Sequence, residues 1–341
     1  MTKPHQLFAA LCLLGIAGTA ARAEDAPAPA EPAAVENPEA TTAKDEDAET
    51  HATIAERRGL DKIKATGAIT LGYREAAVPF SYAADEKAAG FAVDLCALVA
   101  DRMKQRLALP ELTIVWRATS DADQAALAAN GDIDIDCAAT PDTVALGEAS
   151  ALSEPVYVSE LRFLVPSKLR PEPEGFRRRR ADYKTPSAID DLKGKTVVLP
   201  QGSPGLPYIL GQSVERYLGI SIVYAKTPAE AFKLVETGAA AAYLDDDAVL
   251  AGLKAGAKSP DGFLFLNSGQ PGAAYAFVLP KDEPLKQVVD AAILDAVRSG
   301  AYETLYAKWF ESPIPPKNAT VALPRSERLK QFLNDPESAT E

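Results

Sequence analysis

A chain of 341 residues, 47% hydrophobic and 25% charged, has ample material for a core, and its length suits two domains. The formal net charge of −12 argues against nucleic acid as a partner, because phosphate binding needs a basic face. Three cysteines exclude a disulfide scaffold and a paired CxxC zinc site, and the only histidines, His5 and His51, precede the region read as folded, which leaves no imidazole for catalysis.

The first 23 residues read as a signal peptide. Lys3 gives a basic start, residues 7–17 (LFAALCLLGIA) an apolar run, and Ala21-Arg22-Ala23 a cleavage box, so the mature chain is expected to begin near Glu24. The run falls short of the ~18–20 residues of a spanning helix, and no later stretch is apolar enough to span a bilayer. The expectation is an exported protein with no membrane insertion. Residues 24–50 carry nine acids, one lysine and no aromatic, a composition that cannot offset its ordering entropy; they read as a disordered acidic Ala/Pro linker.

From Leu60 onward strands and helices alternate. A short helix at 60–67 is followed by a strand at 68–73 and a helix from Phe91 with apolar positions Val93, Leu95, Leu98, Val99 and Met103. A strand at 112–116 and a helix at 121–129 come next. In Asp132-Ile133-Asp134-Ile135-Asp136-Cys137 the aspartates alternate with apolar residues, which predicts a strand buried on one face. Further on the spacing gives strands at 195–199, 220–224 and 239–244 and helices at 207–218 and 228–237. Residues 165–190 hold seven Lys or Arg, including the run at 177–180, and read as a solvated loop. The pattern is α/β with parallel strands, in two halves around a cleft. Ligands in such sheets bind beyond the carboxyl ends of the strands, at loops 74–82, 119–121, 138–142, 201–205 and 245–247. Thr140-Pro141 and Ser203-Pro204 each read as a helix N-cap followed by proline. Cys96 and Cys137 are candidates for a disulfide in an oxidising compartment, and both positions also suit buried thiols.

Five ordered blocks, LDKIKATGAITLGYREAAVPFSY, NGDIDIDCAAT, DLKGKTVVLPQG, YLDDDAVLAG and GAYETLYAKWFESPIPPKN, resemble the family-3 periplasmic solute-binding proteins of amino-acid ABC importers, closest to the glutamate/aspartate-binding subfamily. The resemblance implies a two-lobed fold with two crossover hinges, at 159–164 and 274–278. Lobe 1 would be 60–158 plus 279–311, lobe 2 165–273, and 312–341 a C-terminal extension. It implies capture of a small polar, amino-acid-like solute by hinge closure and delivery to a membrane permease, in the periplasm, by a monomer without cofactor or metal. The ligand-binding residues it points to are Arg74, Phe80, Tyr82, Asp121, Thr140, Gly202, Ser203 and Asp246. Arg74 occupies the place that meets a side-chain carboxylate, Asp246 the place that holds the α-ammonium. The chain departs from the pattern where the α-carboxylate clamp expects an arginine and has Leu146, and at Gln124 and Pro228, where the acidic subfamily carries an arginine and a histidine. Binding of L-glutamate and L-aspartate is therefore expected to be weak. Two other functions stand beside this one. Cyclohexadienyl dehydratases share the fold and need an acid in the cleft, for which Glu75 or Asp121 would serve. An orphan binding-protein homologue acting through protein contacts is the other.

Overall fold

The computed structural model describes residues 59–169 and 184–335. All of these lie in the compact unit 49–341. The signal peptide, the acidic linker and the arginine run are outside the described residues.

The first half runs α1 (Gly59–Thr66), β1 (Ala68–Tyr73), three short strands β2 (Ala76–Ala77), β3 (Ser81–Ala84) and β4 (Lys87–Ala89), α2 (Phe91–Arg106), β5 (Thr113–Ala118), α3 (Gln124–Ala129), β6 (Ile135–Pro141), α4 (Val144–Ala149) and β7 (Ala151–Leu152). The long strand β8 (Tyr157–Pro166) leads to β9 (Thr196–Pro200), α5 (Leu206–Glu215), β10 (Ser221–Ala225), α6 (Pro228–Glu236), β11 (Ala242–Asp246) and α7 (Asp247–Gly256). The second long strand, β12 (Phe263–Leu279), leads back to α8 (Glu283–Arg298) and α9 (Ala301–Tyr306). The chain closes with a hairpin of β13 (Pro313–Ile314) and β14 (Ala319–Thr320) and with α10 (Glu327–Asn334). The loop expected after β1 thus folds into a small antiparallel sheet of its own, β2-β3-β4.

One sheet runs through both halves in the order β10-β9-β11-β8-β12-β6-β1-β5, with β7 on β12. Within each half the pairs β1–β5, β1–β6, β9–β10 and β9–β11 are parallel, as helix-linked strands require. β8 and β12 are antiparallel and join the halves. β6 runs along β12 and reaches Pro141 opposite Tyr275, while β11 runs along β8 and reaches Asp246 opposite Leu161, which itself faces Gln270. The carboxyl ends of the two sets of strands therefore point at one another across the stretch of β12 from Gln270 to Tyr275, where its register shifts.

The apolar cores divide in the same place. A large cluster holds Ile69, Leu71, Phe91, Val99, Phe277 and Trp309, with Val158 its last member on β8. Two smaller ones, which include Leu161, Phe163, Val197 and Leu244, and Leu164, Val198, Phe232 and Tyr243, begin at Leu161. Helix α7 faces both sides: Ala248, Ala251 and Ala255 pack into the large cluster and Leu250 into a small one. Helix α10, N-capped by Ser326, buries Leu329 and Phe332 in the large cluster, and its Arg328 Nη1 donates to the carbonyls of Ser159 (3.2 Å) and Gly272 (2.9 Å), one on each long strand.

β6 corrects one expectation. The aspartates at its start are not solvated: Asp134, just before the strand, and Asp136 within it are as buried as Ile133, Ile135 and Cys137. The strand is central, and each acid has a cationic partner, Lys62 for Asp134 and Arg74 for Asp136, both at 2.9 Å. Cys96 on α2 and Cys137 on β6 are joined by a disulfide, with Cα atoms 5.8 Å apart.

Candidate functional site

At the carboxyl ends of β1, β5 and β6 the side chains form one polar network. Arg74 directly follows β1, and its guanidinium is buried. Nε donates to Asp121 (2.9 Å), Nη1 to Asp136 (2.9 Å) and to Thr119, and Nη2 to Oε1 of Gln124. Four of the five N–H groups of the arginine are thus committed within the protein. Thr140 Oγ1 donates to the same Gln124 Oε1 (2.9 Å). Burial raises the Asp136 carboxyl, while Arg74, the Ala138 N–H and Thr119 pull it back. Asp121 is 92% exposed, so its ion pair is solvent-screened. Next to this network Gln124, Thr140, Pro141, Thr143 and Leu146 help to line a cavity of about 360 Å³.

The carboxyl ends of β9 and β11 face it with a different chemistry. Asp246 accepts from the Ala273 N–H (3.0 Å) and from the Tyr275 hydroxyl (2.7 Å), both on β12. Gly272 makes this approach possible, since a Cβ there would lie 2.7 Å from Ser159 Oγ and nearer still to Asp246 Oδ1. Tyr243 donates to Asp245, and Asp247 Oδ1 accepts from Ser159 (2.9 Å) and Tyr157 (3.1 Å). Burial and the neighbouring Asp246 charge push Asp245 up to about 7, and burial pushes Asp247 up to about 6. In the turn after β9, Ser203 is buried and its Oγ accepts from the Gly205 N–H (3.2 Å), while Gly202 is exposed with φ +77°. Among the described residues no group of three or more His, Cys, Asp or Glu is placed to hold a metal ion.

Residues 69–312 match the model of the bacterial extracellular solute-binding proteins, family 3. The chain belongs to this family. It is 35% identical over 280 residues to an L-glutamate/L-aspartate-binding protein of Pseudomonas aeruginosa, covering 81% of this chain and 88% of that one. It is 32% identical over 279 residues to a glutamate/aspartate import solute-binding protein of Salmonella typhimurium, covering 81% and 87%. Among solved structures, an ancestral cationic amino acid solute-binding protein superposes with a TM-score of 0.54 at 21% identity, covering 73% of this chain and 98% of that one, a likeness of fold. The named curated relatives are binding proteins.

Set on this family-3 scaffold, the residues singled out from the sequence fall into separate groups. Arg74, Asp121 and Thr140 share one network, with Gln124 at its centre. Phe80 and Asp246 meet through Tyr275: the Phe80 and Tyr275 rings stack at 5.1 Å and the tyrosine hydroxyl donates to Asp246. Gly202 and Ser203 stand beyond β9, the parallel neighbour of β11. Tyr82 is elsewhere: its hydroxyl donates to the Pro315 carbonyl (2.7 Å), its ring meets Trp309, and burial pushes it up to about 12. Neither N-cap expectation holds. Thr140-Pro141 closes β6, Thr143 caps α4 through the Leu146 N–H, and α5 begins after Gly205 rather than at Pro204. Pro228 opens α6 behind Thr227. Asp136 and Tyr275 are members the sequence reading missed. An aspartate in the middle of an apolar strand was a signal for Asp136, because such a charge needs a partner; nothing local marked Tyr275.

Proposed function

We propose that this family-3 protein is the receptor of an ABC importer, exported by its signal peptide to the periplasm, where it captures a small amino-acid-like solute between two lobes and presents it to a membrane permease. One observation carries the reading: the carboxyl ends of both sets of parallel strands converge on the same short stretch of β8 and β12. With lobes of 60–158 plus 279–311 and of 165–273, the two crossings are the hinge. A solute that touches Thr140 and the Arg74 network on one side and Ser203 and Asp246 on the other favours the closed form, because only that form offers both sets of contacts.

The acids that a dehydratase would need do not support an enzyme. Glu75 and Asp121 are both exposed, and Asp121 is bound to Arg74 Nε. We therefore read the chain as a binding protein rather than an enzyme. The test is mass spectrometry of small molecules released from the natively purified protein, followed by calorimetric titration of the stripped protein with what is found. A single released solute that rebinds and shrinks the particle in solution scattering is expected. Turnover of prephenate or arogenate would overturn the reading, as would a solute that leaves scattering unchanged.

A further inference from the structure

We propose that the cavity between β6, α3 and α4 seats an uncharged carbonyl of the solute, an amide or an ester on an apolar flank, and discriminates against a free carboxylate. This rests on the reading that solute binds at the converging strand ends. The cavity has a volume of about 360 Å³, and among the described residues no charged side chain lines it. Ala125, Pro141 and Leu146 form its apolar wall, and Gln124, Thr140 and Thr143 supply its polar groups.

Gln124 sets the chemistry. It is 5% exposed. The atom facing Arg74 must be its carbonyl oxygen, because a guanidinium only donates. That oxygen also accepts from Thr140. The amide is thereby oriented without ambiguity, and its Nε2 is the group left over. No described residue accepts from Nε2, and the atom is not sealed off in the interior. A nearly buried side chain thus offers two N–H donors to whatever enters the cavity, and an acceptor from outside the protein is needed to satisfy them.

Charge decides which acceptor. The cation in contact with Gln124, Arg74, lies behind it with four N–H groups engaged and two carboxylates, Asp136 and Asp121, already paired to it. A carboxylate entering the cavity would exchange its hydration for two neutral donors and an apolar wall, with no unspent positive charge. A neutral carbonyl gives up far less hydration and finds the same donors. Leu146, Pro141 and Ala125 then pack on the group beside it.

Four probes separate the possibilities on the full chain by calorimetry: L-glutamate, L-glutamine, L-isoglutamine and L-glutaminamide, which replace each carboxylate by an amide singly and together. At least one amide probe should bind ten times more tightly than L-glutamate. Gln124→Glu keeps an oxygen on Arg74 and Thr140 but deletes both donors; it should weaken that probe at least tenfold with its melting temperature close to wild type. Leu146→Arg should move the preference back toward L-glutamate by a similar factor. If L-glutamate binds as tightly as every amide, or if Gln124→Glu leaves the amide preference intact, the proposal fails while the site can stand. If none of the four binds wild type, the placement of the site and the proposal fall together.

Discussion

The two ends of strand that meet in this protein bury acidic side chains in opposite ways. Around β6, Asp134 and Asp136 are buried with a cation each, Lys62 and Arg74. Around β11, Asp245, Asp246 and Asp247 stand in a row with hydroxyl and N–H partners, and no described lysine or arginine pairs with any of them within 4.0 Å. Desolvation acts on both groups; in the first each acid has a salt-bridged cation, while in the second the opposing full charge is that of Arg162 on Asp247, without a salt bridge. The result is that all four carboxyls are raised by burial, Asp134 and Asp136 in spite of a paired cation, and Asp245 to about 7 and Asp247 to about 6 without one. A polar site can be built from either kind of end, but the two should respond differently to mutation and to pH.

The largest effect is expected from Arg74→Ala. The arginine is a structural counter-charge, and its removal leaves Asp136 buried without a cation. Breaking one partner out of such a pair costs about 3–5 kcal/mol. Urea unfolding at pH 7.5 should show a loss of that size, and a smaller loss at pH 4, where Asp136 can be protonated. A variant as stable as wild type would mean that the network is not what holds the acid.

The disulfide sharpens the same contrast, because it too lies in the first half, tying α2 to β6. The bond closes a separation of 41 residues, for which chain-entropy reasoning gives up to about 4 kcal/mol. The double variant Cys96→Ala/Cys137→Ala, or wild type under strong reductant, should lose about 2–4 kcal/mol. Thiol titration of the unfolded, unreduced mature protein should find no reactive cysteine; two reactive thiols would show the bond to be absent.

Much of this architecture is legible in the sequence, and what is missing has a common cause. β1 is read to the residue, and α2 and β9–β11 to within a few residues, because local periodicity and turn residues set them. The long strands β8 and β12 and the one-sided reading of β6 depend on pairing between distant segments. Lys62 and Arg74 are 72 and 62 positions from the acids they neutralise. An alternation of Asp with Ile or Cys looks the same whether the second face meets water or a buried cation. The same holds for the candidate site: Arg74, Thr140, Ser203 and Asp246 could be proposed, but not that Gln124 would stand between Arg74 and Thr140, nor that Tyr275 would donate to Asp246.

The second half should sense pH through Asp247. Asp247 Oδ2 is buried without a hydrogen-bond partner. Burial is the main cause of its rise to about 6; Asp246 adds to it, and Ser159, Arg162 and Tyr157 oppose it. The folded state therefore binds this proton more tightly than the unfolded chain, whose carboxyl stays near the ordinary value of 3.8. Below about pH 4 both states are protonated and the group has no effect. As pH rises from about 4 to 6 the folded state progressively loses stability, on the order of 2–3 kcal/mol, and above that the loss is constant. Asp247→Asn keeps the oxygen that accepts from Ser159 and Tyr157 and removes the charge. Its melting temperature should exceed that of wild type at pH 7.5 and match it at pH 4. A difference that does not change with pH would place the effect in packing rather than in ionisation.

The smallest effect on stability is expected at the contact between the halves, and it should carry the largest effect on shape. Gly252 lies inside α7, where alanine is preferred to glycine by up to about 1 kcal/mol. A Cβ at this position would come within 2.7 Å of the Val78 carbonyl carbon, closer still to its oxygen, and within 3.2 Å of Pro79 Cδ. The obstacle is mainly backbone, so it cannot be relieved by a change of rotamer. Gly252→Ala should lower the melting temperature slightly, because the ~1–3 kcal/mol cost of overpacking is only partly offset by the gained helix propensity, while α7 can no longer seat against the Val78–Pro79 loop. The particle should be more open in solution scattering, and a solute that bridges the halves should bind at least tenfold more weakly, about 1.4 kcal/mol. Gly211 supplies the control. It sits inside α5, and a Cβ added there would have nothing within 4 Å, so Gly211→Ala should gain the same helix propensity without any change in scattering or in affinity. If both variants scatter and bind like wild type, the α7–loop contact does not govern closure; if both open the particle, helix propensity rather than the contact is responsible.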